Sequence, residues 1–552
     1  MSFWERIANR VGALPTRRVT WGLVLLFSLW VLLDVLVFRV TSGLANSSYD
    51  AMVRSRIYVA APDPRIVVVD IDEASLARMS KEFGRWPWPR DSLATVLDFI
   101  ERQEPGAIVW DILFSDADRI SPGGDAAFNE AVKLSSHSHF SVVRLPTKND
   151  AASRITRMDL PGLWVAKSPS GAWRGPVSQT PGQASTVALI PPVLPAAAAG
   201  NLGFNNAYVD SDGVLRRFRY LEKLADGSSI KSLPLSVLSA IDTTSYQEQL
   251  AGSGRPNDAQ GELIVWRRRP GAYPQVSFAD VFAQAEGDKP RDFVPSFAGK
   301  IVVIGATAPS LYDIHPTPLS PMQAGVDTLA TVLDNALHQR RVREIPRSLQ
   351  AGLAIALCVC LAFWVQFRGA SSLAPALLAL PMALIAVSYL SLNGFPWFID
   401  LHLAAGLALL FLTLLRFWTA LRRSHWCAPP RPTTQPIAVW AWERREPWLE
   451  HSLDRLIDAV ARHAPDCRVV ACDTGSTWPA TLRWPEFARF AAVIGPQDEL
   501  FESQSRLDAE IRQIAHRCAA PLVITASQDR EKLAKAVSEA WYQLQHATTD
   551  TP

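Results

Sequence analysis

Acidic residues close two β-branched runs of this 552-residue chain. Asp70, Asp72 and Glu73 end or follow the run RIVVVDI (residues 65–71), and Asp111 stands near the end of AIVWDI (residues 107–112). Carboxylates at the carboxyl ends of strands lie where open α/β sheets bind ligands. Three chemistries are open to them: an oxygen cage for a hard cation such as Ca²⁺, acceptors in a small-molecule pocket, or helix caps and ion pairs to Arg85 or Arg90. The last is the most ordinary, because acidic residues are common in the first turn of helices. Trp86-Pro87-Trp88-Pro89, flanked by Arg85 and Arg90, reads as a rigid packed turn or as an aromatic wall against which a ligand stacks. Hydrolytic chemistry finds little support. His137 and His139 read as part of a polar loop without metal-ligand spacing, and no G-x-S-x-G elbow accompanies them.

Near the other end, Cys472-Asp473-Thr474-Gly475-Ser476-Thr477 follows a strand-like run. Asp473, Ser476 and Thr477 could surround a phosphate there, although no G-x-x-x-x-G-K-[ST] loop exists. A phosphoacceptor role for Asp473 lacks its companions: Trp442-Glu443-Arg444-Arg445 replaces the acidic pair, and Ser527-Gln528 replaces Lys-Pro. Neither a G-G-D-E-F string nor kinase glycine loops occur. Cys467 and Cys472 have no His partner nearby and read as small buried thiols rather than zinc ligands. The tail is therefore expected to be no enzyme, with no cofactor and no metal. Trp440, Trp442, Trp448 and Trp484 supply aromatic anchors for a protein partner or for a core.

These residues need elements to hold them, and composition bounds what those are. With 48% hydrophobic and 20% charged residues the chain is too apolar for disorder and long enough for two or three folded units. A net charge of +2 gives no reason to expect nucleic acid. Six Cys, none before Cys358, exclude a disulfide scaffold.

Residues 19–40 form an apolar run charged only at Asp34 and Arg39, long enough to cross about 30 Å of hydrocarbon and without a small-residue cleavage site. An uncleaved anchor is expected. Asp34, an acid inside the span, is a candidate for signal transmission, though its outer position also lets it reach interfacial water. Three further spans are expected at 349–366, 372–392 and 395–416, separated by Gln366-Phe367-Arg368-Gly369 and by Asn393-Gly394 with Pro396 and Trp397. Arg6, Arg10, Arg17 and Arg18 before the first span, and Arg416, Arg422, Arg423 and Arg431 after the last, put both termini in the cytoplasm. Arg340, Arg341, Arg343 and Arg347 fall on the opposite side and oppose this topology, but long folded domains translocate largely regardless of charge. The expected organisation is a cytoplasmic segment (1–18), the first span, an external domain (41–346), three spans, a Pro-rich linker (417–434) and a small three-layer α/β tail domain (435–547). In the external domain, residues 65–71, the helical spacing of Leu93, Val96, Leu97 and Ile100, and the runs 107–112, 140–145 and 301–304 predict a largely parallel sheet covered by helices.

The residues Ile66 to Ser75, Gly84-Arg85-Trp86-Pro87-Trp88-Pro89-Arg90 and Trp110 to Ser115 resemble, in this order, the CHASE type 2 family, an extracellular sensory domain of bacterial cyclases and kinases. Gly203-Phe204-Asn205 with Asp210, Asp212-Gly213-Val214 and Arg216-Arg217, then Val276 to Val281 and Gly299 to Ala308, continue the resemblance. Asp313, Pro316-Thr317-Pro318 and Gly325-Val326-Asp327 resemble its last motif, but Leu329 and Thr331 stand where a histidine and an asparagine are expected. The resemblance implies one amino-terminal helix, an outer sensory domain, three closely spaced helices and a cytoplasmic output, and it implies working as a homodimer. The expected function is a bacterial inner-membrane sensor that detects an extracytoplasmic ligand or protein and passes the signal to a tail that recruits a cytoplasmic protein. The alternatives are a divergent nucleotide- or phosphoryl-acting output enzyme and a non-sensing structural subunit of an envelope assembly.

Overall fold

The computed structural model describes residues 11–12, 14–38, 41–121, 123–165, 186–224, 227–252, 261–368, 373, 375–395, 397–427, 437–443, 450–472, 488–514, 522–524 and 542. They fall into two compact units, one spanning 42–346 with 389–399, the other 1–41, 347–388 and 400–552. Asp473, Ser476 and Thr477 lie outside the described residues, as do Trp448, Trp484 and residues 428–434 of the expected linker, whose first part, 417–426, is helical.

The first unit is built on a seven-stranded sheet of β1 (Ile66–Ile71), β2 (Ala107–Trp110), β3 (Ser138–Arg144), β4 (Leu189–Ile190), β5 (Asn201–Phe204), β6 (Gln275–Ser277) and β7 (Ile301–Ala306). The order is β6-β1-β7-β2-β3, with β5 on the free side of β3. All pairings are parallel except the short β4 against β3. Every residue of β1 is buried, the expected signature of a parallel strand covered on both faces.

Because successive side chains alternate across a strand, β1 divides its burial between two cores. Val67, Val69 and Ile71 join Ile108, Trp110, Leu97, Phe128, Phe140 and Phe278 on one face. Ile66 and Val68 join Val109, Val303, Val237, Leu329 and Leu333 on the other. Trp110 is fully buried and stacks on Phe140 at 6.1 Å, with Phe114 and Phe128 edge-on. Helices Glu73–Phe83, Arg90–Glu101, Gly124–Leu134 and Phe278–Ala285 supply the first face, and Leu233–Ile241 with Gly325–Leu337 the second. His139, placed by the sequence in a polar loop, is instead inside β3. It is 1% exposed, its Nδ1 lies 3.1 Å from Ser236 Oγ, and burial pushes it down to about 3.

Two adjacent arginines fasten the ends of this unit. Arg216, 1% exposed, donates Nε and Nη2 to Asp50 (both 2.7 Å), on helix Thr41–Arg54, and Nη1 to Asp212 (2.8 Å) and Asp210 (3.0 Å). Arg217 bonds Asp210 (2.7 Å) and Glu344 (2.9 Å), the latter in a two-residue strand Arg343–Glu344 paired with Trp397–Phe398. The basic residues before residue 347 are part of this architecture: Arg340 bonds Asp334 (2.9 Å), Arg341 bonds Gln249 (2.9 Å), and Arg343 lies over the Trp397 ring.

Among the described residues of the second unit, four helices are long and apolar enough to cross a membrane: Thr16–Leu33, Arg347–Phe367, Ala376–Gly394 and His402–Trp426, the end of the third belonging to the first unit. The first passes at Asp34 into a π-helical turn, Asp34–Phe38, rather than running as one α-helix to residue 40. Val24, Phe27 and Val31 pack with Ala354, Cys358, Phe411 and Leu415. The tail carries a four-stranded sheet in the order β9-β10-β8-β11, where β8 is Ile437–Glu443, β9 Arg468–Cys472, β10 Ala488–Ile494 and β11 Leu522–Ile524. All three pairings are antiparallel. Helices Glu450–His463 and Gln497–Ile514 bury Leu456, Ile457, Val460, Leu507 and Ile511 in its core, together with Cys467, whose thiol burial pushes up to about 12.

Candidate functional site

The acids at the carboxyl end of the sheet do not form one cluster, because β7 runs between β1 and β2. Asp70 accepts from the backbone N (2.9 Å) and Oγ1 (2.6 Å) of Thr307, the residue after β7, and burial pushes its carboxyl up to about 6. Asp72 is the N-cap of helix Glu73–Phe83, accepting from Ser75 N at 2.6 Å and from Ser277 Oγ at 3.2 Å. Such a cap stabilises a helix by roughly 1 kcal/mol. Glu73 accepts from Ser310 N at 3.2 Å. Arg85 is exposed. Neither Asp111 nor the β1 acids bind Arg90; its guanidinium pairs with Asp125, donates to the Asp116 carbonyl and lies over Phe114.

Asp111, Trp86, Trp88 and Arg90 do come together, around a cavity of about 330 Å³ completed by Ile71, Leu93, Phe114, Ala306, Leu311 and Asp313 among others. The ends of β1, β2 and β7 contribute Ile71, Asp111 and Ala306, so the cavity opens at the carboxyl edge, the usual ligand position in such sheets. Trp86 and Trp88 meet edge to face at 5.0 Å, and Trp88, 2% exposed, continues onto Phe278 at 5.3 Å.

Asp111 Oδ1 accepts from Asn205 Nδ2 at 2.7 Å, while Oδ2 is sealed from solvent without a hydrogen-bond partner. Trp88 Nε1 is also buried and unpartnered. Burial first, and then the charge of Asp313, push the Asp111 carboxyl up to about 8 against the Asn205 hydrogen bond. Burial raises Asp313 as well, opposed by His315 Nε2 at 3.8 Å. Two glycines create the room for these acids. A Cβ at Gly305 of β7 would meet Val326 Cγ2 at 2.8 Å and Asp111 Cβ at 3.0 Å, and one at Gly325 would meet the Asp313 carboxylate at 2.3 Å. Gly305→Ala is expected to cost about 1–3 kcal/mol by overpacking. Denaturant titration checks this, and an unchanged midpoint would contradict the close approach.

Asp313 belongs to the site although strand ends alone do not point to it. It lies beyond the Pro309–Leu311 turn, and its sequence signal is the Gly325 that its carboxylate requires. Among the described residues, Asp63, Asp334 and His338 have the spacing of a metal-binding group. Their chemistry is that of an ion-pair knot: Arg65 bonds Asp63 (2.7 Å), while Arg267 (3.0 Å), Arg340 (2.9 Å) and Tyr273 (2.8 Å) bond Asp334. Three guanidinium groups at those carboxylates leave no place for a cation.

In the other unit, Asp34 is 3% exposed where the π-helical turn begins. A second polar junction ties the amino end of the first apolar helix and the carboxyl end of the fourth to the tail. Arg422, 2% exposed, donates Nη1 to Thr16 Oγ1 at 2.7 Å and Nη2 to Asp458 on helix Glu450–His463, and Arg423 reaches Asp454 at 3.4 Å. Trp426 Nε1 donates to the Gly12 carbonyl at 3.2 Å.

A model of the CHASE2 domain matches residues 23–364, from within the first apolar helix to within the second. No curated protein and no solved structure matches the chain.

Proposed function

The chain belongs to the CHASE2 domain family, and on that premise we propose that it is a membrane-anchored sensor whose 41–346 domain binds a small extracytoplasmic ligand in the Trp86–Trp88–Asp111 cavity. The observation that carries this reading is the cavity itself, an aromatic-walled space at the carboxyl edge of a parallel sheet with unpartnered buried polar atoms. The ligand site uses Trp86, Trp88, Arg90 and Asp111, with Asp313 added, whereas Asp70, Asp72 and Glu73 hold the sheet end together.

The rest of the reading is a bacterial inner-membrane protein with one span before and three after the sensor, and with both termini cytoplasmic. The engagement of Arg340, Arg341 and Arg343 within the folded domain supports this topology, since side chains committed to a fold weigh less as loop charges. The Arg422 junction supports a route from the first and fourth helices into the tail, read as a three-layer α/β domain that recruits a cytoplasmic protein. A ligand must favour one helix arrangement over another, by about 1–3 kcal/mol for a typical coupling, to send a signal along that route.

The test is thermal melting of the full chain in lipid nanodiscs against a panel of neutral, anionic and cationic fragments. Compounds that bind the cavity raise the melting temperature, and Ala306→Phe, which fills the space, and Trp86→Ala, which removes a wall, both abolish the shift. Shifts that persist in both variants, or a panel without any shift, would reject the cavity as the sensory site.

A further inference from the structure

The cavity has a strongly uneven distribution of chemistry. Its walls are indole, phenyl and aliphatic groups, and its polar side chains are Asp111, Asp313 and Arg90. Arg90 contributes no free positive charge, because Asp125 and the Asp116 carbonyl occupy its guanidinium. The two carboxyl groups therefore dominate the field inside. One of their oxygens, Asp111 Oδ2, is buried with no donor, a costly arrangement for a group with two acceptor sites.

We infer that the cavity selects a small organic cation carrying N–H donors and an apolar or aromatic body, an arylalkylamine being the simplest example. The ammonium would pair with the carboxyl groups of Asp111 and Asp313, while the body packs against Trp86 and Trp88, whose π-faces attract cations. A neutral ligand fills the same space without drawing on the charge of the carboxyl pair, and an anion is repelled by whichever carboxyl is ionised. The inference rests on the reading of this cavity as the sensory site.

Proton linkage gives an independent handle. The charged and titratable groups around Asp111 are Asp313, His315 beside it, and Arg90 with its partner Asp125. Asp111 holds its proton well above the usual carboxylate range, so a cation that binds the ionised pair must expel it. Cation affinity then rises with pH through neutrality, and binding releases protons.

The experiment is calorimetric titration of the full chain in nanodiscs with three probes of one shape: tyramine (cation), tyrosol (neutral) and 4-hydroxyphenylacetate (anion). The expected order is tyramine over tyrosol by about tenfold or more, with the anion weakest. Asp111→Asn should erase the preference for tyramine over tyrosol, whatever it does to the affinity common to both, and protons released on tyramine binding should disappear in that variant. Equal or tighter binding of tyrosol or of the anion, or a tyramine preference retained in Asp111→Asn, would overturn the inference. If tyramine fails while fragments that Ala306→Phe excludes still bind, the cavity stands as a site and only its charge selectivity is lost. If nothing binds, both readings fall.

Discussion

Arg216→Ala is expected to destabilise the 42–346 unit by about 3–5 kcal/mol, the usual cost of removing one partner from a buried ion pair. The side chain is 1% exposed and donates to Asp50, Asp210 and Asp212, so its loss strands Asp50 and Asp210, whose side chains are only 12% and 18% exposed, while Asp212 keeps contact with water. Arg216→Lys should recover only part of the loss, because one ammonium cannot reproduce a fork that meets Asp50 through two nitrogens. Asp50→Asn in the Arg216→Ala background should be less harmful than Asp50→Asn alone, as coupled partners require. Denaturant unfolding of the full chain followed by tryptophan fluorescence measures all four proteins. A loss below about 1 kcal/mol for Arg216→Ala, typical of exposed pairs, would show that the cluster is solvated.

Asp111→Asn is expected to change how stability depends on pH, by on the order of 2–4 kcal/mol between pH 4 and pH 9. The folded carboxyl sits at about 8, above its ordinary value of 3.8. The folded state therefore keeps a proton that the unfolded chain has released, and the contribution of Asp111 to stability is fully present below about pH 4. It is lost as pH rises through about 8. The asparagine variant lacks this slope, so it should match or trail the parent in acid and exceed it in alkali. The full shift corresponds to a larger figure, but the partly exposed Asp313 side chain beside it admits water and lowers the effect. Parallel stability profiles for the two proteins would show that Asp111 ionises freely in the folded state.

The strands were legible because parallel strands buried on both faces read as unbroken β-branched runs, as residues 66–71 and 301–304 do. Their order was not. β7 begins 230 residues after β1 ends yet inserts between β1 and β2, which separates Asp70 from Asp111 and gives Asp70 to Thr307. Spacing along the chain contains no trace of that insertion. The composition of the aromatic and basic turn at residues 86–90 is that of a packed turn or of a cavity wall, and Trp86, Pro87, Trp88 and Arg90 line the cavity. What composition could not reveal was that Arg90 would spend its charge on Asp125, since its partner is fixed by the docking of helix Gly124–Leu134. Arg340 to Arg343 misled in the opposite way: they look like a free basic cluster and are held by Asp334, Gln249 and Trp397.

The paired arginines have a mechanical meaning. Asp50 and Glu344 stand almost three hundred residues apart in the chain, yet a single dipeptide, Arg216-Arg217, grips both. A tug on the strand of chain leading out at one end is carried to the other across contacts of about 3 Å, bypassing the hydrophobic interior. The domain thus handles load as a closed buckle does: its two leads move as one while the buckle holds, and gain independent freedom only when it is sprung.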